Sequence, residues 1–172
     1  SSKEGMNIGM RHISLSTCGI VDKIYDLAEK KYQLTLSVSL HAPNDEIRSR
    51  LMPVNRRWDV EELLKACRFY IKQTGRRISF EYALIGGVND SYGCAHELAH
   101  RLKGMLCHVN LIPVNPVKGT PYRKSTPEKT HQFLRILCDE GITATVRRTL
   151  GADIDASCGQ LRRRYEEEAA NV

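Results

Sequence analysis

Segments with the alternating polarity of strands take turns with segments that have the spacing of amphipathic helices, along nearly the whole chain. The clearest strand pattern is 34–40, where apolar and polar residues alternate strictly. The clearest helix pattern is 59–74, with Asp59 and Glu62 in capping-box positions and Gly75 at its end. Repeated strand–helix–strand units predict an α/β fold with a mostly parallel sheet, either open or closed into a barrel.

The remaining elements complete this alternation. Further strands are predicted at 11–16, 78–84, 107–113 and 142–147, and further helices at 22–31, 45–51, 89–103 and from Pro127 to Gly141. No low-complexity linker divides the 172 residues. We therefore expect a single domain over 1–172, with a charged tail at 162–172 that frays.

Composition narrows the class of protein. No apolar stretch approaches the ~18 residues that span a membrane, and no secretory segment opens the chain, which predicts a cytoplasmic location. In such a chain the six cysteines are expected to be reduced thiols. The chain starts without methionine and enters a strand pattern near Ile13, so we expect a piece of a longer protein.

The charge balance favours an anionic partner without proving one. There are 26 Lys and Arg residues against 20 Asp and Glu, a formal charge of +6. Many of these cations come in pairs, which suit a phosphate backbone, although many basic proteins bind no nucleic acid. A non-catalytic RNA-binding module therefore remains an alternative, but one Trp and three Phe offer little for stacking on single strands. The basic runs are 30–31, 56–57, 76–77, 123–124, 147–148 and 162–164.

Three predicted strands carry polar residues on one face, whereas parallel strands buried on both faces are usually apolar throughout. Buried polar groups cost about 1–3 kcal/mol each when they lack a hydrogen bond. The pattern therefore predicts a wet or ligand-filled barrel interior, with solvent-facing edge strands as the alternative. The three sets are Ser37, Ser39 and His41; Ser79 and Glu81; and His108 and Asn110.

Polar residues also follow the predicted strands at their carboxyl ends, where reactive groups gather in parallel α/β folds. They include Ser16, Ser39, His41 and Asn115, which suit a ligand with ribose hydroxyls and a carboxylate or amine. Gly86-Gly87 is interpreted as a turn. No Cys-x-x-x-Cys-x-x-Cys is present, so no metal site is predicted.

A zinc site is not predicted at the pair of histidines His96 and His100 either. The segment His96-Glu97-Leu98-Ala99-His100 has the spacing of the two histidines of zinc proteases. However, the helix needs its Leu98 face for the core, and no third ligand is evident.

One cysteine stands apart from the others. Cys158 lies in a run of small residues, Gly151-Ala-Asp-Ile-Asp-Ala-Ser-Cys-Gly, that follows the last predicted strand. Small residues and glycine leave room for another molecule at the sulfur, which favours a nucleophile. The alternative is a small buried side chain, because free cysteine is often buried.

Four motifs together resemble one family, the radical S-adenosylmethionine methyltransferases that modify adenine in large-subunit ribosomal RNA and in some transfer RNAs. The resemblance runs from about Asn7 to Leu161 and matches the C-terminal half of a family member. It implies the C-terminal part of an incomplete parallel (β/α) barrel. The motifs are Ser16-Thr-Cys-Gly, Ser39-Leu-His-Ala-Pro-Asn-Asp, Asn110-Leu-Ile-Pro-Val-Asn-Pro, and 146–161.

The resemblance also implies residue roles. Cys158 would be methylated on sulfur by one S-adenosylmethionine, and radical chemistry with a second would pass that carbon to carbon 2 of adenine. S-adenosylmethionine would be held by Ser16, Ser39, Leu40, His41 and Asn115. The implied partners are ribosomal RNA, transfer RNA and a reductant such as flavodoxin.

Parts of the family pattern are missing from the sequence. The ligands of the [4Fe–4S] cluster, a Gly-Glu motif, a general-base glutamate and a second catalytic cysteine are absent. We therefore expect an inactive fragment of an active enzyme, with exposed strand edges through which copies self-associate. A related family that methylates carbon 8 of adenine and confers antibiotic resistance shares much of the pattern and remains an alternative.

Overall fold

The computed structural model describes residues 8–115 and 120–147, which form a five-stranded sheet with helices. The strands are β1 (Ser14–Thr17), β2 (Thr35–Ser39), β3 (Ile78–Leu84), β4 (Cys107–Pro113) and β5 (Ala144–Val146). The α-helices are α1 (Val21–Glu29), α2 (Asp45–Leu51), α3 (Val60–Thr74), α4 (Tyr92–Leu102) and α5 (Pro127–Asp139). Short 3-10 helices cover Met10–His12 and Pro53–Arg56.

The strand order in the sheet follows the chain order, and every neighbouring pair is parallel. Because parallel crossovers are right-handed, this order places the connecting helices on the same face of the sheet. A doubly wound sheet would instead reverse its order and carry helices on both faces. The arrangement is an open segment of a (β/α) barrel, which confirms the predicted fold class.

The helix-covered face of the sheet forms the hydrophobic core. Along β3 the side chains alternate between buried and half-buried, and Ile78, Phe80, Tyr82 and Leu84 are all 0% exposed. These residues belong to one apolar cluster with buried residues of the helices. The opposite face is therefore left for the polar residues of the same strands.

Local signals at the helix ends act as predicted. The Asp59 carboxylate accepts a hydrogen bond from the Glu62 backbone N–H at 2.7 Å, and the Glu62 carboxylate accepts one from the Asp59 N–H at 3.0 Å. Gly75 ends α3 with a φ of 65°, in the left-handed region that favours glycine. The capping box and the glycine stop of this helix are confirmed.

Some strand boundaries differ from the prediction. The strand predicted at 34–40 ends at Ser39, because the backbone N–H groups of Leu40 and His41 both donate to the Glu81 carbonyl, at 3.0 and 3.3 Å. The predicted first strand begins later, since its first residues form the 3-10 turn. The first and last strands span Ser14–Thr17 and Ala144–Val146, where 11–16 and 142–147 were predicted.

Strand β1 is an edge with exposed apolar side chains. Leu15 is 43% exposed, whereas its register partner Leu36 on β2 is 1% exposed. Ile13 and Ile20, on either side of β1, are also exposed.

In the part of the chain that the structure describes, no helix has the length and apolar character to cross a membrane.

Candidate functional site

The residues predicted to hold a ligand lie at the carboxyl end of the sheet. Ser16 is in β1, Ser39 ends β2 with Leu40 and His41 directly after it, and Asn115 lies two residues beyond β4. The carboxyl ends of parallel strands share one edge, which we call the rim. The structure therefore places the five predicted residues at the ends of three strands along the rim.

Leu40 differs from the other rim residues. Its side chain is 1% exposed and belongs to the core. Its N–H donates to the Glu81 carbonyl, and its own carbonyl accepts from the Arg48 Nε at 3.1 Å. Both backbone groups of Leu40 are therefore occupied by partners within the chain, and its predicted contact with a cofactor stays a prediction.

His41 is fixed in one orientation and one tautomer. Its φ of 58° is in the left-handed region, and its Nδ1 accepts a hydrogen bond from the Ala83 backbone N–H at 3.0 Å. A nitrogen that accepts carries no proton, so the proton of the neutral ring is on Nε2. Period two placed His41 on one face with Ser37 and Ser39, but β2 ends at Ser39 and this turn sets the ring direction instead.

The neutral state of His41 also follows from its surroundings. Burial lowers the pKa of the imidazole, and the nearby Arg48 charge lowers it further, whereas the Glu81 carboxylate opposes them. A charged ring would also lose the bond from the Ala83 N–H. His41 therefore offers an Nε2–H donor at neutral pH.

We expect His41 to make the fold less stable in acid. The pKa of His41 is lowered from its ordinary 6.5 in the folded chain, so below that pH the unfolded chain binds the proton first. Its full contribution is present above 6.5 and is lost as the pH falls toward the lower folded pKa. The free energy of unfolding, measured by denaturant titration between about pH 7.5 and 5.5, should therefore fall less for His41→Asn than for the wild type.

The control is His108, whose pKa is lowered by burial and by Arg77, so its effect has the same sign. In His108→Asn, the remaining pH dependence should be that of His41. Asparagine suits position 41 because it tolerates the left-handed backbone. Identical pH dependence in His41→Asn and the wild type would contradict this assignment.

Arg48 was missed by the sequence analysis and lies directly under the rim. This arginine of α2 is 0% exposed. Its guanidinium donates to the carbonyls of Cys18 (2.8 Å), Ser39 (3.2 Å) and Leu40 (3.1 Å), and to the side-chain oxygen of Asn55 (2.9 Å). One side chain thus joins the ends of β1 and β2.

Polar side chains line the sheet face opposite the core. The register places them in two rows across the strands: Ser16, Ser37, Ser79 and His108 in one, and Ser39, Glu81, Asn110 and Thr145 in the other. The predicted sets on β2, β3 and β4 therefore share a face, except for His41, which lies past the end of β2. Most of these residues are half-buried. The wet or ligand-filled interior stays a prediction.

Glu81 connects this polar face to the rim. Its two carboxylate oxygens accept hydrogen bonds from the Asn110 amide at 2.7 Å and the Ser79 hydroxyl at 3.1 Å. Its backbone carbonyl accepts the N–H groups of Leu40 and His41. The carboxylate is therefore held by its own strand β3 and by the neighbouring β4, and the backbone carbonyl is bonded to the segment after β2.

The loop between β3 and α4 is held by Asn89, which is 0% exposed. Its amide nitrogen donates to the carbonyls of His41 and Ala83, both at 2.7 Å, and its oxygen accepts from the Ile85 N–H at 2.8 Å. Gly87 turns this loop with a φ of 76°, which confirms the predicted turn. Asn89 was predicted only as part of a helix start, yet it fixes the backbone of a rim residue.

The described cysteines are free thiols. Burial raises the pKa of Cys67 to about 12 and that of Cys107 to about 11, so neither is a nucleophile at neutral pH. Cys18 and Cys138 are exposed. Cys158, the predicted nucleophile, lies outside the described residues.

The segment with the two-histidine spacing, 96–100, lies within α4. Within 8–115 and 120–147, no group of three or more His, Cys, Asp and Glu side chains is arranged to hold a metal ion. Nδ1 of His96 lies 3.5 Å from a Glu140 carboxylate oxygen, and Glu97 instead binds Asn44 and Arg101. The described residues therefore do not fit an iron–sulfur cluster.

Known proteins match this chain over part of their length. No family model matches it. It is 60% identical over 164 residues to a probable dual-specificity RNA methyltransferase RlmN of Caldanaerobacter subterraneus subsp. tengcongensis, covering 95% of this chain and 48% of that protein. It is 56% identical over 168 residues to the protein of the same name from Thermoanaerobacter pseudethanolicus, covering 98% and 49%. The chain spans about half the length of the curated relatives it matches.

Solved structures agree on the fold. A radical SAM methyltransferase from Sphaerobacter thermophilus has a TM-score of 0.88 and 53% identity, over 92% of this chain and 47% of that one. A domain of pyruvate-formate lyase-activating enzyme from Bacteroides vulgatus, at 18% identity and a TM-score of 0.61, shows likeness in fold alone over 78% and 80%. The partial barrel is thus of the radical S-adenosylmethionine (SAM) class.

Within this class, the curated relatives give the finer comparison. Over nearly its whole length, the chain is similar to about half the length of proteins named as probable dual-specificity RNA methyltransferases, which confirms the predicted resemblance. The chain covers 49% of a relative's length, which agrees with the expectation that it corresponds to half of a family member.

Proposed function

We propose that this chain forms part of an enzyme that methylates carbon 2 of adenine in large-subunit ribosomal RNA and in transfer RNA. The observation that carries the proposal is 60% identity, over 95% of the chain, to a relative named a dual-specificity RNA methyltransferase. We call a protein that contains this chain together with the remaining half of its relatives the complete enzyme. The chain alone is proposed to be inactive, because its sequence lacks the cluster-binding cysteine motif.

The rim suits S-adenosylmethionine, which supplies a methyl group and, with a [4Fe–4S] cluster held elsewhere in the complete enzyme, radical chemistry. Its ribose hydroxyls and amino-acid group need hydroxyl, amide and imidazole partners. Ser16 and Ser39 offer hydroxyls, Asn115 an amide, and His41 an Nε2–H donor whose direction is fixed by Ala83. These residues would bind and orient the cofactor, with Leu40 placing Ser39 and His41.

Cys158 is proposed as the residue that carries the transferred carbon. Its thiolate would take the methyl group from the sulfonium, giving S-methylcysteine and S-adenosylhomocysteine. This route suits carbon 2 of adenine because that carbon is electrophilic and does not attack a methyl cation donor. The charges of Arg147, Arg148 and Arg162 would favour the thiolate. Those of Asp153 and Asp155 would oppose it.

RNA is proposed to approach the rim. Exposed basic residues lie on loops at that end of the sheet, where they can contact phosphates without entering the site. The basic pairs at 30–31 and 76–77, in the loops before β2 and β3, lie at the opposite end of the sheet. The basic residues at the rim end are Arg56, Arg57, Arg123, Lys124 and Arg147.

The remaining expectations stand as parts of the same proposal. The complete enzyme would be cytoplasmic and would draw electrons from a reductant such as flavodoxin. The chain itself would fold as one domain, and the exposed apolar side chains on and beside β1 would allow copies of the chain to pair.

The test is to identify the product. The complete enzyme, with its cluster reconstituted, is incubated with S-adenosylmethionine, reductant and an RNA fragment, and the nucleosides are separated by liquid chromatography and mass spectrometry. We expect 2-methyladenosine. The appearance of 8-methyladenosine instead would assign the enzyme to the carbon-8 family, and the absence of any methylated adenine would overturn the proposal.

A further inference from the structure

The buried arginine under the rim has an unusual set of partners. Arg48 forms four hydrogen bonds, all to neutral oxygen atoms. The closest link to a carboxylate is indirect: Asn55 accepts from Arg48 and donates to Asp45 at 2.9 Å. A full positive charge is therefore kept from water without a direct ion pair among the described residues.

A buried guanidinium without a direct ion pair contributes little to the free energy of unfolding. Removing a cation from water costs several kcal/mol, and apolar replacements of buried charges are often neutral or stabilising. Burial accordingly lowers the pKa of the Arg48 guanidinium. The geometry of its acceptors explains better why an arginine occupies this position.

Three of the four acceptors are carbonyls of the rim. Nη2 bridges the Cys18 carbonyl in the loop after β1 and the Ser39 carbonyl at the end of β2, at 2.8 and 3.2 Å. Nε holds the next carbonyl, that of Leu40. One planar guanidinium thereby sets the spacing between the carboxyl ends of β1 and β2, the strands that carry Ser16 and Ser39.

The two peptide groups between Ser39 and His41 are held at both ends. Their carbonyls accept from Arg48, while their N–H groups donate to the Glu81 carbonyl. A peptide plane that is bonded on both sides cannot rotate, so the directions of the Ser39 and His41 side chains are set before any ligand arrives.

The loop after β1 is shaped to receive this guanidinium. At Gly19, a Cβ would lie 2.9 Å from Arg48 Nη2 and 3.1 Å from a Leu63 methyl, and its φ is 102°. A side chain there would displace the arginine or the loop. The close approach of the two elements therefore depends on both residues.

We propose that Arg48 is a positioning residue, which pre-orders the ends of β1 and β2 so that Ser16, Ser39 and His41 meet S-adenosylmethionine without rearrangement. The proposal rests on the proposed function. It assigns Arg48 no contact with the cofactor.

The test compares Arg48→Lys and Arg48→Met in the complete enzyme. Lysine keeps the charge, but its single ammonium group cannot reach acceptors spread around a planar fork. We expect both variants to raise the dissociation constant for S-adenosylmethionine, measured by equilibrium dialysis, by about tenfold or more. The KM for RNA should stay within about twofold, and kcat should recover when the cofactor is saturating.

The matched control is Tyr70→Phe. The Tyr70 hydroxyl donates to the Leu34 carbonyl at 3.1 Å, at the amino-terminal end of β2, so its loss removes a buried hydrogen bond away from the rim. Amide hydrogen exchange gives a readout without cofactor: peptides that cover 16–20 and 39–43 should exchange faster in the Arg48 variants and not in Tyr70→Phe.

The outcomes separate a failure of the proposed function from a failure of the positioning role of Arg48. Wild-type enzyme that does not bind S-adenosylmethionine would sink the proposed function itself. If the wild type binds and either Arg48 variant binds equally well, with unchanged exchange at the rim, the positioning role is refuted. Loss of folding in both variants would assign Arg48 to stability alone and would also refute it.

Discussion

Replacing Cys158 with alanine is expected to abolish adenine methylation by the complete enzyme while leaving its fold intact. The thiol is proposed to carry the carbon that reaches the base, and alanine has no atom that can form a thioether. The measurement is the yield of methylated adenosine by mass spectrometry, beside a thermal unfolding curve. In the wild type, the peptide that contains Cys158 should also appear heavier by the mass of one CH2 group.

The controls are the two exposed thiols in the described part of the chain. Cys18 lies in the loop after β1, and Cys138 lies on α5. Cys18→Ala and Cys138→Ala should retain methylation, because neither is proposed to carry carbon. Methylation that persists in Cys158→Ala would remove this residue from the chemistry, and an unfolded Cys158→Ala protein would make its role structural.

The second large effect is expected for Asn89→Asp, a change of one atom in a fully buried side chain. The amide nitrogen that donates to the His41 and Ala83 carbonyls at 2.7 Å would be replaced by an oxygen that cannot donate. Two carbonyls would lose their partner and face a carboxyl group. At about 1–3 kcal/mol for each unsatisfied group, we expect a loss of roughly 3 kcal/mol or more in the free energy of unfolding.

That loss is a large share of the stability of an ordinary domain, which is about 5–15 kcal/mol. Denaturant titration measures it. The matched control is Gln132→Glu, the same kind of change on the exposed surface of α5, which should stay within about 0.5 kcal/mol of the wild type. Equal stability of Asn89→Asp and the wild type would show that the loop has another support.

The fold was predictable where the two faces of an element differ in polarity. The predicted bounds of β3 and β4 match the structure, because buried and half-buried side chains alternate along the whole of β3 and along most of β4. The start of α3 was predictable from Asp59 and Glu62, since a capping box is a local interaction. The ends of β1 and β2 were less predictable, because hydrogen bonds to distant residues such as Glu81 decide where pairing stops.

The site was predictable in its position along the chain and less so in its internal contacts. Ser16, Ser39 and Asn115 follow from the rule that ligands meet the carboxyl ends of strands. The part played by Arg48 does not follow from this rule, because in the sequence Arg48 resembles its exposed neighbour Arg50 on the same short helix. Its burial depends on carbonyls supplied by two other loops, and no local pattern encodes that.

The polar rows on the sheet have a consequence for how ligand preference can change. Their side chains stand on a fixed grid, with about 4.8 Å between neighbouring strands and roughly 6.6 Å between alternate residues of one strand. Substituting Ser79 or His108 exchanges the chemical group at one grid point. The positions on the grid are fixed by the apolar residues on the opposite face of the sheet. Related proteins with this fold can therefore differ in the ligand that they bind while the backbone stays in place.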